Sequence, residues 1–182
     1  MSVSEELRSR AAEFAHSARL LCDALETPPR EPEKAALLLL RALSSVYAKG
    51  LALDWAGDQF SSPDLGELFP VSDAERQRVT GNVARIFGER RFYWLQFDPI
   101  FPRDGSAAPV AGDLADDFGD IYRDILPALR AWEAGSNQFD DIVFDWRATP
   151  FEGHWGVHAS NALRALHRIV FDHGLDAAPK TT

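Results

Sequence analysis

Among 182 residues there is one cysteine, Cys22, so an internal disulfide is excluded, as is a zinc site built on cysteines. Long apolar runs are missing too. The longest, Ala35 to Leu40, falls far short of the roughly 20 residues that a membrane-spanning helix needs. The N-terminal segment carries charges throughout and lacks the apolar centre of a signal peptide. Basic residues are outnumbered, 19 Lys and Arg against 28 Asp and Glu, for a formal net charge of −9. A surface of that sign repels phosphate backbones and anionic lipid, which argues against nucleic-acid and membrane partners. Neither G-x-x-x-x-G-K nor G-x-G-x-x-G occurs, and no serine sits in G-x-S-x-G. A soluble, cytoplasmic protein is expected.

What the chain does have is apolar payload, 46% hydrophobic residues with twelve Phe and five Trp, enough for one domain with a real core. The apolar positions follow a helical period. Leu7, Ala11, Phe14, Ala18, Leu21 and Leu25 predict a first helix over Ser4–Glu26, stopped by Thr27-Pro28-Pro29. A broadly apolar second helix is expected from Pro32 to about Trp55, then a loop from Ala56 to Val71. Ser72-Asp73-Ala74-Glu75 reads as a capping box. The helix it opens is expected to pass through Val79, Val83, Phe87, Gly88, Tyr93 and Trp94 to Phe97, ending at Asp98-Pro99. A second long loop, Ile100 to Ala111, precedes a helix capped by Asp113, containing Pro127 and closed by Gly135. A short helix or turn over Phe139–Ala148 comes next. Thr149-Pro150-Phe151-Glu152 marks the start of a last helix running to about Asp172, with Gly174 as C-cap. No β alternation and no repeat is visible. The predicted fold is all-α, an irregular bundle of five or six helices, as a single domain over residues 1–176 with a disordered tail over 177–182.

The chemistry concentrates in two segments. Asp113, Asp117, Asp120 and Asp124 fall on one line of a helix whose other stripe is Leu114, Phe118, Ile121 and Ile125. Like charges at that spacing repel by about 0.2–0.5 kcal/mol per pair when solvated, so the line invites cations. His154 and His158 lie one turn apart on the last helix, with Asn161 on the same flank. Two imidazoles so spaced can share a divalent metal, with aspartates from the neighbouring helix completing the shell. Asp120, Asp124 and His158 form the expected metal set, and Asp117 is a further candidate. The glutamate of H-E-x-x-H is absent. Two other readings stand beside the metal: a hydrogen-bonded Asp–His–Arg network that fixes helix register, and a plain solvated acidic face. Arg147 is expected to pair with Asp141 or Asp145, and Cys22 to be a small core residue. Phe92-Tyr93-Trp94 with Phe97 suits either core packing under the second long loop or a partner surface.

These two segments also carry a resemblance. D-L-A-D-D-F-G-D-I-Y-R-D (Asp113–Asp124) and F-E-G-H-W-G-V-H-A-S-N-A-L-R-A-L-H (Phe151–His167) together resemble a bacterial family of small helical proteins described as a domain of unknown function. The likeness spans about Lys34 to His167, and Gly119 stands where Ala is expected. It implies that Asp120, Tyr122, Asp124, His154, Trp155 and Arg164 share one site or one structural core, and it implies no activity. Two functions follow as expectations. One is a non-catalytic helical domain for protein interaction or self-association. The other is a metal-assisted hydrolase of a nucleotide or phosphoester using Asp120, Asp124 and His158.

Overall fold

Helix starts follow the side chains that mark them. The computed structural model describes residues 5–53, 65–96, 108–147 and 149–173. The first helix, α1 (Glu5–Glu26), buries Phe14, Ala18, Leu21 and Leu25 along one face. The second, α2 (Pro32–Leu51), opens with proline in its first turn and packs against α1. It stops at Leu51, short of the expected Trp55. Within the expected loop there is a single helical turn, α3 (Leu65–Leu68), with Leu65 buried. The capping box of α4 (Asp73–Phe87) closes as read: the Ser72 hydroxyl accepts from the Glu75 backbone N–H, and the Glu75 carboxylate accepts from Ser72 N–H.

The helix expected to continue through Trp94 does not. At Gly88 the backbone takes φ 52° and ψ −133°, a region open to glycine and costly for other residues. A 3₁₀ turn over Gly88–Arg91 follows, then strand β1 (Phe92–Leu95), paired antiparallel with β2 (Val110–Asp113). The all-α class holds, and the expectation of no strand is corrected by this hairpin. Its register places Tyr93 opposite Gly112 and Trp94 opposite Ala111.

Asp113 ends β2 and caps α5 (Leu114–Glu133), its side chain accepting from Ala115 N–H at 2.8 Å. This helix is the hub, packing on α1, α4, α6 (Phe139–Arg147) and α8 (Trp155–His167). Gly119 lets α4 approach, since a Cβ there would lie 2.8 Å from Thr80 Cγ2.

The last helix is not continuous. One short helix, α7 (Thr149–Gly153), ends at His154, whose φ −135° and ψ −89° break the run before α8 begins; a π turn over Arg168–His173 follows α8. Gly156 makes the break possible in close quarters, because a Cβ there would fall 2.1 Å from the Phe151 carbonyl oxygen. Beneath it Phe14, Trp146 and Trp155 form an aromatic centre, with ring centroids 4.8 Å apart for Phe14–Trp146 and 6.0 Å for Phe14–Trp155. The expected features at Trp55, residues 56–64, Phe97, Asp98-Pro99, residues 100–107, Ala148, Gly174 and the tail from Ala177 lie outside the described residues.

Candidate functional site

The aspartate line of α5 meets the two histidines of the α7–α8 segment, and the line does not stay solvated. Asp117 and Asp120 are 5% and 8% exposed, and burial of that kind requires compensating partners. His158 Nδ1 lies 2.8 Å from Asp117 Oδ1, and His154 Nδ1 lies 2.5 Å from Asp124 Oδ2. An ionised carboxylate only accepts, so in both rings Nδ1 carries a proton and donates it, and Nε2 takes no part in that bond. His158 Nε2 in turn lies 3.6 Å from Asp120 Oδ2. The other oxygen, Asp120 Oδ1, takes Arg76 Nη2 from α4 at 3.2 Å and Arg123 Nη2 at 3.2 Å. Ligand atoms of Asp120, His154 and His158 all fall within 4.8 Å of one another.

This differs from the expected metal set. Asp124 holds His154 and stands beside Arg123, at 3.6 Å, rather than converging with His158. The break at His154 explains the change, since it places the first histidine outside the regular turns of α8. Asp113 also leaves the line, held between its own helix start and Arg91 Nε at 3.3 Å.

Three residues named with the site lie outside this cluster. Tyr122 is buried against α1, its hydroxyl donating to Glu26 Oε1 at 2.6 Å. Trp155 lies in the core, its Nε1 donating to the Trp146 carbonyl at 3.1 Å. Arg164 is exposed and joins none of the cluster's hydrogen bonds among the described residues. Arg147 pairs with Glu152 at 2.8 Å, correcting the expected Asp141 or Asp145 partner. Cys22 is buried as expected, and burial pushes its thiol up to about 12.

Three contributors were not legible in the sequence. Arg76 and Arg123 neutralise Asp120, and Tyr93, arriving from β1, donates its hydroxyl to Asp117 Oδ2 at 2.7 Å. Only the alternation of a strand turns Tyr93 inward while Phe92 and Trp94 point out, and that strand was read as helix. His158 is raised above the ordinary imidazole range, chiefly by its hydrogen bond to Asp117, against an opposing effect of burial, and further by the charges of Asp117, Asp120 and Asp116.

A cleft of about 650 Å³ opens beside the cluster, lined by Arg123, Asp124, Pro127, Asp145, Pro150 and His154 among others. The groove between α1 and α2, about 410 Å³, is lined largely by small and apolar groups such as Leu20, Ala24, Leu38 and Ala42, with no histidine.

The chain belongs to the family described as "Domain of unknown function (DUF5063)", whose profile matches residues 5–172. That span exceeds the Lys34–His167 likeness and takes in α1. No curated protein matches the chain. Its fold is similar to the crystal structure of a protein from Bacteroides fragilis, a structural genomics target, at 23% identity and a TM-score of 0.69, covering 91% of this chain and 94% of that one. At that identity the likeness speaks for the fold alone. Among the described residues no helix is long and apolar enough to cross a membrane.

Proposed function

Starting from membership of this family and the geometry between α5 and α8, we propose that the protein is a metal-assisted hydrolase of a phosphoester or nucleotide, its divalent cation held by Asp120, His154 and His158. One observation carries the reading: three donors converge while their other atoms are already engaged. Each Nδ1 is held by a carboxylate, Asp124 or Asp117, and Asp120 Oδ1 is held by Arg76 and Arg123. With those atoms taken, the ligands would be His158 Nε2 and Asp120 Oδ2, 3.6 Å apart, together with the remaining ring nitrogen of His154. Carboxylates behind histidine ligands are the usual support of a metal site. Two imidazoles and one carboxylate leave coordination positions for water and substrate and suit first-row transition cations. A cation held there would activate water for attack on a phosphoester. Arg123 lines the adjoining cleft while paired with Asp120 and Asp124.

Thermal melts after EDTA treatment, with Mn²⁺, Zn²⁺ or Mg²⁺ restored, test it. A cation at one hundred times its dissociation constant stabilises by about 2.7 kcal/mol, a rise of a few degrees. His158→Ala should abolish the rise, and Asp124→Asn should weaken affinity by about 10–100-fold. A wild-type midpoint that no cation moves sinks the proposal.

A second reading, protein interaction or self-association, is favoured by one surface. Phe92, Trp94 and Val110, respectively 46%, 70% and 44% exposed, stand on the hairpin. Exposed aromatics of this kind are enriched at interface centres. Light scattering decides self-association: a dimeric wild type with a monomeric Trp94→Ser supports it, and a monomeric wild type removes it.

A further inference from the structure

Resting on the metal reading above for what the ring serves, we propose that Tyr93 is a positioning residue of the α5–α8 site. Through Asp117 it fixes the His158 ring with Nε2 turned toward Asp120, and Gly112 is the gap that lets it do so. The chain of contacts is continuous: the Tyr93 hydroxyl donates to Asp117 Oδ2 at 2.7 Å, His158 Nδ1 donates to Asp117 Oδ1 at 2.8 Å, and His158 Nε2 faces Asp120 Oδ2 at 3.6 Å. Asp117 is buried and uses one oxygen on each side, so its orientation is set by both partners at once. Removing the phenol hydroxyl leaves a buried carboxylate oxygen short of a donor, and the carboxylate then turns to find another. The imidazole bonded to its other oxygen turns with it.

Tyr93 is a dependable donor. Burial first, and then the hydrogen bond to Asp117, push its ionisation far above the ordinary phenol range. Its path to Asp117 crosses the partner strand at Gly112, where an added Cβ would fall 2.5 Å from Tyr93 Cζ and 2.8 Å from its hydroxyl oxygen. No residue with a Cβ fits there while the ring stays in place. The hairpin is thus part of the site, although it lies outside both helices that supply the ligands.

The test compares wild type, Tyr93→Phe, Gly112→Ala and, as a control on the outer face of the same strand, Trp94→Phe. Zn²⁺ and Mn²⁺ affinities are measured by calorimetry, at temperatures where every variant is folded. The hydrogen-bonded Nδ1–H proton of His158 is followed by NMR in the metal-free protein. Affinity 10–100-fold weaker in Tyr93→Phe and Gly112→Ala is expected, with Trp94→Phe like wild type and the Nδ1–H signal shifted or lost in the first two. Wild-type affinity in Tyr93→Phe overturns the positioning role and leaves the metal reading standing. If wild type binds neither cation, the metal reading fails and the NMR signal alone decides. A signal lost in Tyr93→Phe then upholds the positioning of His158, and an unchanged signal overturns it.

Discussion

Glu75 serves two partners with one carboxylate. Oε2 accepts from the Ser72 backbone N–H at 2.9 Å and from the Ser72 hydroxyl at 2.7 Å, and Oε1 receives Arg130 Nη2 at 2.5 Å. These contacts, the two with Ser72 first, pull its pKa from 4.5 down to about 2. A carboxylate whose folded pKa is depressed contributes stability that is complete above the unfolded value and lost as pH falls through the folded one. The advantage of wild type over Glu75→Gln should therefore be full at neutral pH and shrink across the interval from pH 4.5 to about 2. At neutral pH the difference should be about 1 kcal/mol, the usual worth of a helix cap. Urea unfolding midpoints of both proteins at several pH values check this. A gap that stays constant down to the acid limit contradicts the assignment.

At the scale of elements, α4 and the hairpin are separated by one glycine. Gly88, at φ 52° and ψ −133°, turns the chain out of the helix and into β1. Gly88→Ala should cost about 1–3 kcal/mol, since such conformations are strained for any residue with a Cβ. Denaturant unfolding measures that cost directly, and a neutral substitution would show that the turn adapts. The same residue shows where the sequence was and was not legible. Helix starts with a chemical marker, Ser72 with Glu75 or Asp113 before Leu114, were readable because one side chain satisfies backbone donors locally. Gly88 was read as helix interior because Ile86 and Tyr93, like Phe87 and Trp94, stand seven residues apart and so keep a helical spacing by coincidence. Four-residue strands whose partners begin at Val110 leave almost no periodic signal. The site shared this fate. Its histidines and aspartates were visible as two lines, but Asp124 pairing with His154 depends on the break after Gly153, which only the close approach of Gly156 to Phe151 makes compact. Arg76 and Tyr93 arrive from elements whose packing on α5 no local pattern encodes.

For the whole molecule, the formal charge of −9 creates a cation response that has nothing to do with any site. In the α5 line Asp120 is paired with Arg76 and Arg123, and Asp117 and Asp124 are hydrogen-bonded to His158 and His154, while the acidic surplus is a property of the whole chain. Raising salt from about 0.01 M to 0.15 M shortens the screening length from about 30 Å to about 8 Å and relieves that self-repulsion. The melting midpoint should rise with NaCl, and Mg²⁺ acting only by screening should do no more at matched ionic strength. His158→Ala should follow wild type in both series. A transition cation at micromolar concentration adds almost no ionic strength, so a rise it produces in wild type alone reports ligands at Asp120, His154 and His158. If His158→Ala rises equally, the cation is acting on the acidic surface and the cleft between α5 and α8 loses its claim to a metal.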